Sequence, residues 1–181
     1  KSKALDILVQ AFDSNPSVNH VVKQDNRREQ RIRELMNYSF KVCSAFGEAW
    51  MSDDEQACAL VLHPDKKRLT LNAIGWDLQL CLSCIGLNRV NIVLKRESTI
   101  KAFHPKEPIS YLWFIGVNPS VHNKGIGSNL LKEVIHQSET VRRPIYLETS
   151  VESNAVWYQK YGFEIYQRLD MGYTLNMLRK I

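Results

Sequence analysis

The feature that most narrows the fold of this 181-residue chain is a strand that empties directly into a glycine loop and a helix. Ile109 to Val117 is an apolar run (Tyr111, Leu112, Trp113, Phe114, Ile115), suited to a strand buried on both faces. Asn118 to Lys124 reads as loop, and Gly125 and Gly127 follow. From Ile126 to Gln137, Ile126, Leu130, Leu131, Val134 and Ile135 recur at helical spacing. Ile145 to Thr149 is again a strand. Strand, helix and strand in this order form a right-handed parallel crossover, so the sheet is at least partly parallel. Beyond it, Ser153 to Tyr161 predicts a short helix capped by Gly162. Phe163 to Leu169 and Thr174 to Leu178 predict closing strands around Asp170-Met171-Gly172.

The first half alternates less regularly. Lys3 to Phe12 predicts a helix with Leu5, Leu8, Val9 and Phe12 on one face, ended by Asp13-Ser14-Asn15-Pro16. Arg28 to Ser44 predicts a second, with Ile32, Leu35, Met36 and Phe40 on one side and Gly47 beyond its end. Glu48 to Ser52 and Gln56 to Leu62 predict a hairpin around Asp53-Asp54-Glu55, closed by His63-Pro64. Leu69 to Phe103 predicts one or two amphipathic helices broken near Gly86, with the stripe Leu71, Ile74, Leu78, Cys81/Leu82 and Ile85 turned into the core. No repeat or low-complexity linker interrupts the chain, so residues 1–181 are expected to form one domain.

Composition removes several classes. Hydrophobic residues at 44% and charged residues at 24% are globular values. The longest strongly apolar stretch, Leu78 to Leu87, is far short of the roughly 20 residues of a membrane span. The expectation is a soluble, cytoplasmic domain with no membrane partner. The net charge of +5 permits an anionic ligand without naming one. Lys23 to Arg33 gathers five cations, but Asp25, Glu29 and Glu34 break the block, so it reads as a solvated helix face, with an anion-binding role as the alternative. With no aromatics interleaved, nucleic acid is not the expected partner. Cys81-Leu-Ser-Cys84 has the spacing of half a zinc site, yet no second pair follows at ligand distance. Cys43, Cys58, Cys81 and Cys84 are therefore expected to be core thiols, and no metal is expected. His63 and His104, each beside a proline in a loop, are expected to be structural.

The glycine loop carries the chemistry. Glycine at 125 and 127 lets backbone N–H groups approach an anion, and the helix that begins there adds unpaired donors and about half a positive charge. The arrangement suits a phosphate. It is not a P-loop, because Ser128-Asn129 follows Gly127 where Lys-Ser/Thr is needed. Nor is it a Rossmann fingerprint, since Leu130 stands where the third glycine belongs. Taken alone, it also reads as a tight turn.

The stretch Val117-x-Pro119…Lys124-Gly125-Ile126-Gly127-Ser128-x-Leu130-Leu131 resembles the acyl-coenzyme A loop of the GNAT N-acetyltransferase superfamily. Asn154-x-x-x-Tyr158-x-x-x-Gly162-Phe163 is similar to the same family's second motif at the expected distance. Pro105-x-x-Pro108-x-x-Tyr111-Leu112…Gly116-Val117-x-Pro119 and Tyr146-Leu147-Glu148-Thr149-Ser150 resemble the puromycin N-acetyltransferase type, without implying that puromycin is the substrate. The resemblance implies a mixed α/β (α+β) GNAT acyl-CoA N-acyltransferase fold: a splayed mixed sheet of six to seven strands flanked by helices. Two departures stand out. His122 takes the place of the family's usual Gln or Arg three residues before the first loop glycine. The chain also opens at the first helix, so an upstream strand is expected to be missing.

By the same resemblance the protein is an acetyl-CoA-dependent N-acetyltransferase that moves the acetyl group directly to the primary amine of a small molecule. The alternative is a non-catalytic acyl-CoA-binding module on the same fold. Acetyl-CoA is the implied cosubstrate, with Ile115, Gly116, Val117, His122, Asn123, Lys124, Gly125, Ile126, Gly127, Ser128, Asn154 and Tyr158 as its contacts. Asn154 also reads as a helix cap. Tyr158 is the candidate general acid toward the leaving thiolate, and its alternative is a core aromatic beside Trp157 and Tyr161. Glu148 is the candidate base, with a water relay as its rival. A homodimer stays open.

Overall fold

The computed structural model describes residues 1–121 and 124–181; His122 and Asn123, two of the expected cofactor contacts, lie outside the described residues. The first helix, α1 (Ser2–Phe12), buries Leu5, Ile7, Leu8 and Val9. It stops as expected before Pro16, but the same proline opens a further helix, α2 (Pro16–Val21), which periodicity alone does not reveal. Proline is preformed for a first helical position, and Asn15 caps the helix by accepting from the Val18 N–H at 3.1 Å. Then follow α3 (Arg28–Phe46) and the hairpin β1 (Gly47–Met51) and β2 (Ala57–Leu62).

The next segment breaks the expected pattern. Helix α4 (Leu71–Leu80) runs through a wide turn at Cys81–Ile85 to Gly86, whose φ of +83° suits glycine. After a short turn at Leu87–Arg89 comes α5 (Val90–Lys101), and the two arms are bent by 97°. The break at Gly86 is as expected, but the facing of the first arm is not. Leu71, Ile74, Leu78 and Leu82 are 89, 47, 58 and 55% exposed, and only Ile85 of that stripe is buried. Cys81 is correspondingly half-exposed, while Cys43, Cys58 and Cys84 are buried. The inward side is held by Ala73, Trp76, Leu80 and Cys84. Asp77 accepts from the Tyr38 hydroxyl at 2.6 Å, and Gln79 bridges to Glu34 and Lys41 on α3. Those polar contacts turn the other face outward.

The second half is β3 (Ser110–Val117), α6 (Ile126–Thr140), β4 (Ile145–Thr149), α7 (Glu152–Gln159), β5 (Glu164–Asp170) and β6 (Thr174–Lys180). Among the described residues the six strands form one sheet in the order β1-β2-β3-β4-β6-β5. Only β3 and β4 pair in parallel, so the mixed sheet with a single crossover is as expected. Helices α1 and α3 cover one face through Leu8, Ile32, Met36, Leu60 and Phe114. Helices α6 and α7 cover the other through Leu130, Leu131, Val134 and Tyr158 against Leu112 and Leu147.

One irregularity in β3 matters. The β2–β3 register slips where Leu60 and Val61 face Phe114 and Leu112, leaving Trp113 as the extra residue of a bulge. A regular strand would place Leu112, Phe114 and Gly116 on one face. Instead Leu112, Ile115 and Val117 join the α6–α7 side, while Phe114 packs edge-on to Phe12, ring centroids 5.0 Å apart. Gly116 also faces α1: a Cβ there would lie 3.0 Å from that of Ala11.

Candidate acyl-coenzyme A site

The site begins where the two central strands part. Residues Ser110 and Tyr111 of β3 pair with Ile145 and Tyr146 of β4, and beyond them no pairing continues. Strand β3 stays with β2 as far as Val117 opposite Ala57, and β4 stays with β6 as far as Thr149 opposite Asn176. Two paired halves therefore diverge and leave a wedge lined by unpaired strand edges. The Asn118 N–H donates to the Gln56 carbonyl at 2.8 Å, which fixes the phase of the strand. Alternation then aims the N–H and C=O of Ile115 and Val117 into the wedge, and those of Gly116 toward β2. Of the three expected strand contacts, Ile115 and Val117 offer backbone groups to a ligand. Gly116 serves the packing of α1.

Helix α6 closes the wide end of the wedge. Gly125 takes its N-cap position at φ +79°, a left-handed geometry that favours glycine, and accepts from the Asn129 N–H at 3.0 Å. No side chain caps this helix among the described residues, so the N–H groups of Ile126, Gly127 and Ser128 remain for an anion. Gly127 has a different reason to lack a side chain: its Cβ would stand 2.8 Å from Cγ2 of Val117. The glycine thus sets the helix N-terminus directly on the end of the open strand. Lys124 is exposed at the loop's edge. Ser128 turns toward α7, accepting from the Trp157 indole N–H at 3.4 Å.

On the same face, Asn154 and Tyr158 stand one helical turn apart on α7. The cap position belongs to Val151, with no side-chain cap, and the Asn154 N–H itself donates to the Val151 carbonyl. Asn154 is therefore not a helix cap, and its exposed amide is free for a ligand. The Tyr158 ring is buried, with ring centroids 4.8 Å from Trp157 and 5.5 Å from Phe163. Its hydroxyl has no hydrogen-bond partner among the described residues, and burial alone pushes the phenol well above its ordinary value near 10.

Across the sheet, β4 alternates so that Ile145 and Leu147 join the α6–α7 core while Glu148 faces the α1–α5 side. Its side chain is only 7% exposed. One carboxylate oxygen lies 2.7 Å from Nε2 of His104 and the other accepts from the Tyr111 hydroxyl. The Tyr111 phenol is pushed far up, first by burial and then by the Glu148 charge. His104 is thus not merely structural. It contacts the candidate base, and no sequence signal marks it, since it lies 44 residues from Glu148 in a proline-flanked loop. His63 does behave structurally: it is buried, 3.2 Å from Glu48 and 3.4 Å from the Ile109 carbonyl. Further out, Arg96 donates to Ser17, Glu97 and the Tyr173 hydroxyl, tying α5 to α2 beside the same cluster.

The geometry therefore holds an uncapped helix end, an open strand edge and a buried phenol on one side of the wedge, and an oriented carboxylate on the other. Among the described residues no three His, Cys, Asp or Glu side chains converge as metal ligands. Residues 88–165, from the turn before α5 to the start of β5, match the family model described as acetyltransferase (GNAT) domain. The chain is similar to the crystal structure of histone acetyltransferase HPA2 and related acetyltransferase from Corynebacterium glutamicum. That match has 21% identity and a TM-score of 0.67 and covers 99% of this chain and 89% of the other. It is also similar to the C-terminal condensation domain of Ebony in complex with beta-alanyl-dopamine, at 11% identity over 97% of this chain and 91% of that one, TM-score 0.61. An N-acetyltransferase from Staphylococcus aureus aligns at 11% identity over 97% and 92%, TM-score 0.56. The fold is that of the GNAT acetyltransferases.

Proposed function

We propose that this protein is an acetyl-CoA-dependent N-acetyltransferase that moves the acetyl group directly to the primary amine of a small molecule. The observation that carries the reading is the parting of β3 and β4 after Tyr111 and Tyr146, with an uncapped helix end at its mouth and Tyr158 on its flank. The matched acetyltransferase domain supports the acetyl donor. In this reading the first-turn N–H groups of α6 hold the pyrophosphate, with Lys124 beside them. Val117 and Ile115 pair with the pantetheine arm as a neighbouring strand would, and Asn154 adds a side-chain contact. A backbone N–H of the open strand faces the thioester oxygen and stabilises the charge that develops there.

The amine nitrogen attacks the thioester carbonyl, the C–S bond breaks, and the leaving sulfur takes the proton of the Tyr158 hydroxyl. Glu148, directly or through a water, takes the proton that the amine nitrogen loses on forming the amide. His104 and Tyr111 fix the carboxylate's orientation and share its charge. The puromycin-type resemblance belongs to this proposal as a subgroup reading and leaves the acceptor open. The test is turnover of acetyl-CoA across aminoglycosides, polyamines, amino acids, peptides and nucleoside antibiotics, read as free thiol and as acetylated product. Release of thiol with no acetylated amine in any set would overturn the transferase reading.

A further inference from the structure

Most of the exposed large apolar side chains among the described residues lie in the segment of the α4–α5 pair. Leu69 and Leu71 are 87 and 89% exposed, and Leu78, Leu82, Leu87 and Leu94 between 55 and 70%. These leucines lie opposite an inward side already held by Ala73, Trp76, Leu80 and Cys84, while half-buried Asp77 and exposed Gln79 bond α3, so α4 is apolar on both its inner and its outer side. Charge is concentrated in the same segment of the chain. Residues 66–107 hold eight Lys and Arg against three Asp and Glu, while the rest of the chain holds sixteen of each, so the segment carries the whole net charge of +5. Lys66, Lys67, Arg68, Lys95, Lys101 and Lys106 are exposed, and none makes an ion pair among the described residues.

From this juxtaposition we infer that the α4–α5 face docks on an anionic lipid bilayer. Exposed leucines beside unpaired cations are what an interfacial helix pair needs: apolar side chains enter the acyl boundary while ammonium and guanidinium groups meet lipid phosphates. Neither helix alone is long and apolar enough to cross a membrane, and the 97° bend suits two arms lying in the surface rather than one rod through it. A second copy is the poorer occupant, because a two-fold contact through this face would set like charges against each other. The inference reverses the sequence-based expectation of no membrane partner, which rested on turning the Leu71–Leu82 stripe inward. It does not depend on the acetyl-transfer reading.

The test is co-sedimentation of the full chain with vesicles of phosphatidylcholine alone and of phosphatidylcholine with about a third phosphatidylglycerol. Binding should favour the anionic vesicles by about tenfold or more and weaken as salt rises. Lys66→Glu/Lys67→Glu/Arg68→Glu should lower anionic-vesicle binding about a hundredfold, and Leu78→Gln/Leu82→Gln by a similar factor through lost insertion. All five side chains are exposed, so thermal melts of both variants should match the parent. Equal sedimentation with both vesicle types, or binding unchanged in both variants, would overturn the inference. So would a dimer in sedimentation equilibrium that Leu78→Gln/Leu82→Gln dissolves, which would give the face to a second copy.

Discussion

The wedge between β3 and β4 and the bent pair α4–α5 are both built from apolar runs, yet only the first has its elements facing as the sequence suggests. In the wedge the constraints act on the backbone. Gly125 sits where φ is positive, Gly127 sits where a Cβ would strike Val117, and the strand before them is bounded by Pro108 and Pro119. Such demands are readable one residue at a time. In α4 the constraint is a choice between two apolar stripes on a helix that is apolar nearly all round. The stripe Leu71-Ile74-Leu78-Leu82 has the better periodicity, but Ala73, Trp76 and Leu80 face the core. The choice is made by Tyr38 and Glu34, which bond Asp77 and Gln79 from a helix about forty residues away. Periodicity finds the stripe; it does not say what the stripe faces.

The contrast breaks most easily at the wedge. Gly127→Glu puts a carboxylate where the proposal places a phosphate and bulk against Val117, so acetyl-CoA affinity should fall by about two orders of magnitude or more. Titration calorimetry on the folded variant reads it, with Gly127→Ala as the milder step that crowds Val117 without adding charge. Glu148→Gln removes the proposed proton acceptor but keeps the shape, and should lower turnover about 10²-fold with acetyl-CoA affinity unchanged. His104→Asn, which loosens the carboxylate without removing it, should cost less.

Stability separates the two regions directly. Leu131 is fully buried under α6, and Leu131→Ala should cost about 2–5 kcal/mol. Leu78→Ala, at a side chain 58% exposed, should stay within about 0.5 kcal/mol. Denaturant melts of the two variants measure the difference, and a large loss at Leu78 would mean that the stripe packs inward after all. The smallest effect is at the thiols. Burial pushes Cys58 and Cys84 up to about 12 and Cys43 higher still, so these stay protonated and inert at neutral pH. Cys81, half-exposed, should be the one thiol labelled under native conditions.

Much of the fold was legible because apolar runs, prolines and glycines mark element ends locally. Helix α2 was missed because Pro16 both ends one helix and starts the next. The bulge at Trp113 was hidden in a run apolar at every position, where alternation has nothing to alternate. At the candidate site, the positions of Asn154, Tyr158 and the glycine loop beside the wedge were legible from their motifs. His104 was not, because its contact with Glu148 depends on the path of a loop and not on spacing. Gly116 was assigned to the ligand when its backbone faces β2, a distinction that only the strand's phase supplies.

The pH profile tests the proposed role of Tyr158. The phenol is useful as an acid only while protonated, and burial raises it above its ordinary value near 10. The protonated form therefore persists through pH 10. Turnover should rise with pH as the amine acceptor loses its proton, without a descending limb from this residue below about pH 10.

The most direct measurement is turnover by Tyr158→Phe, which removes one hydroxyl and keeps the ring that packs on Trp157 and Phe163. With a good amine acceptor, turnover should fall about 10²- to 10⁴-fold while acetyl-CoA affinity stays nearly constant, and the deficit should shrink for thioesters whose thiols are more acidic. Tyr161→Phe, two residues beyond the end of α7, should cost little. Parent-like turnover by Tyr158→Phe, or a deficit that ignores the leaving thiol, would contradict the account and leave Tyr158 a core aromatic beside the wedge.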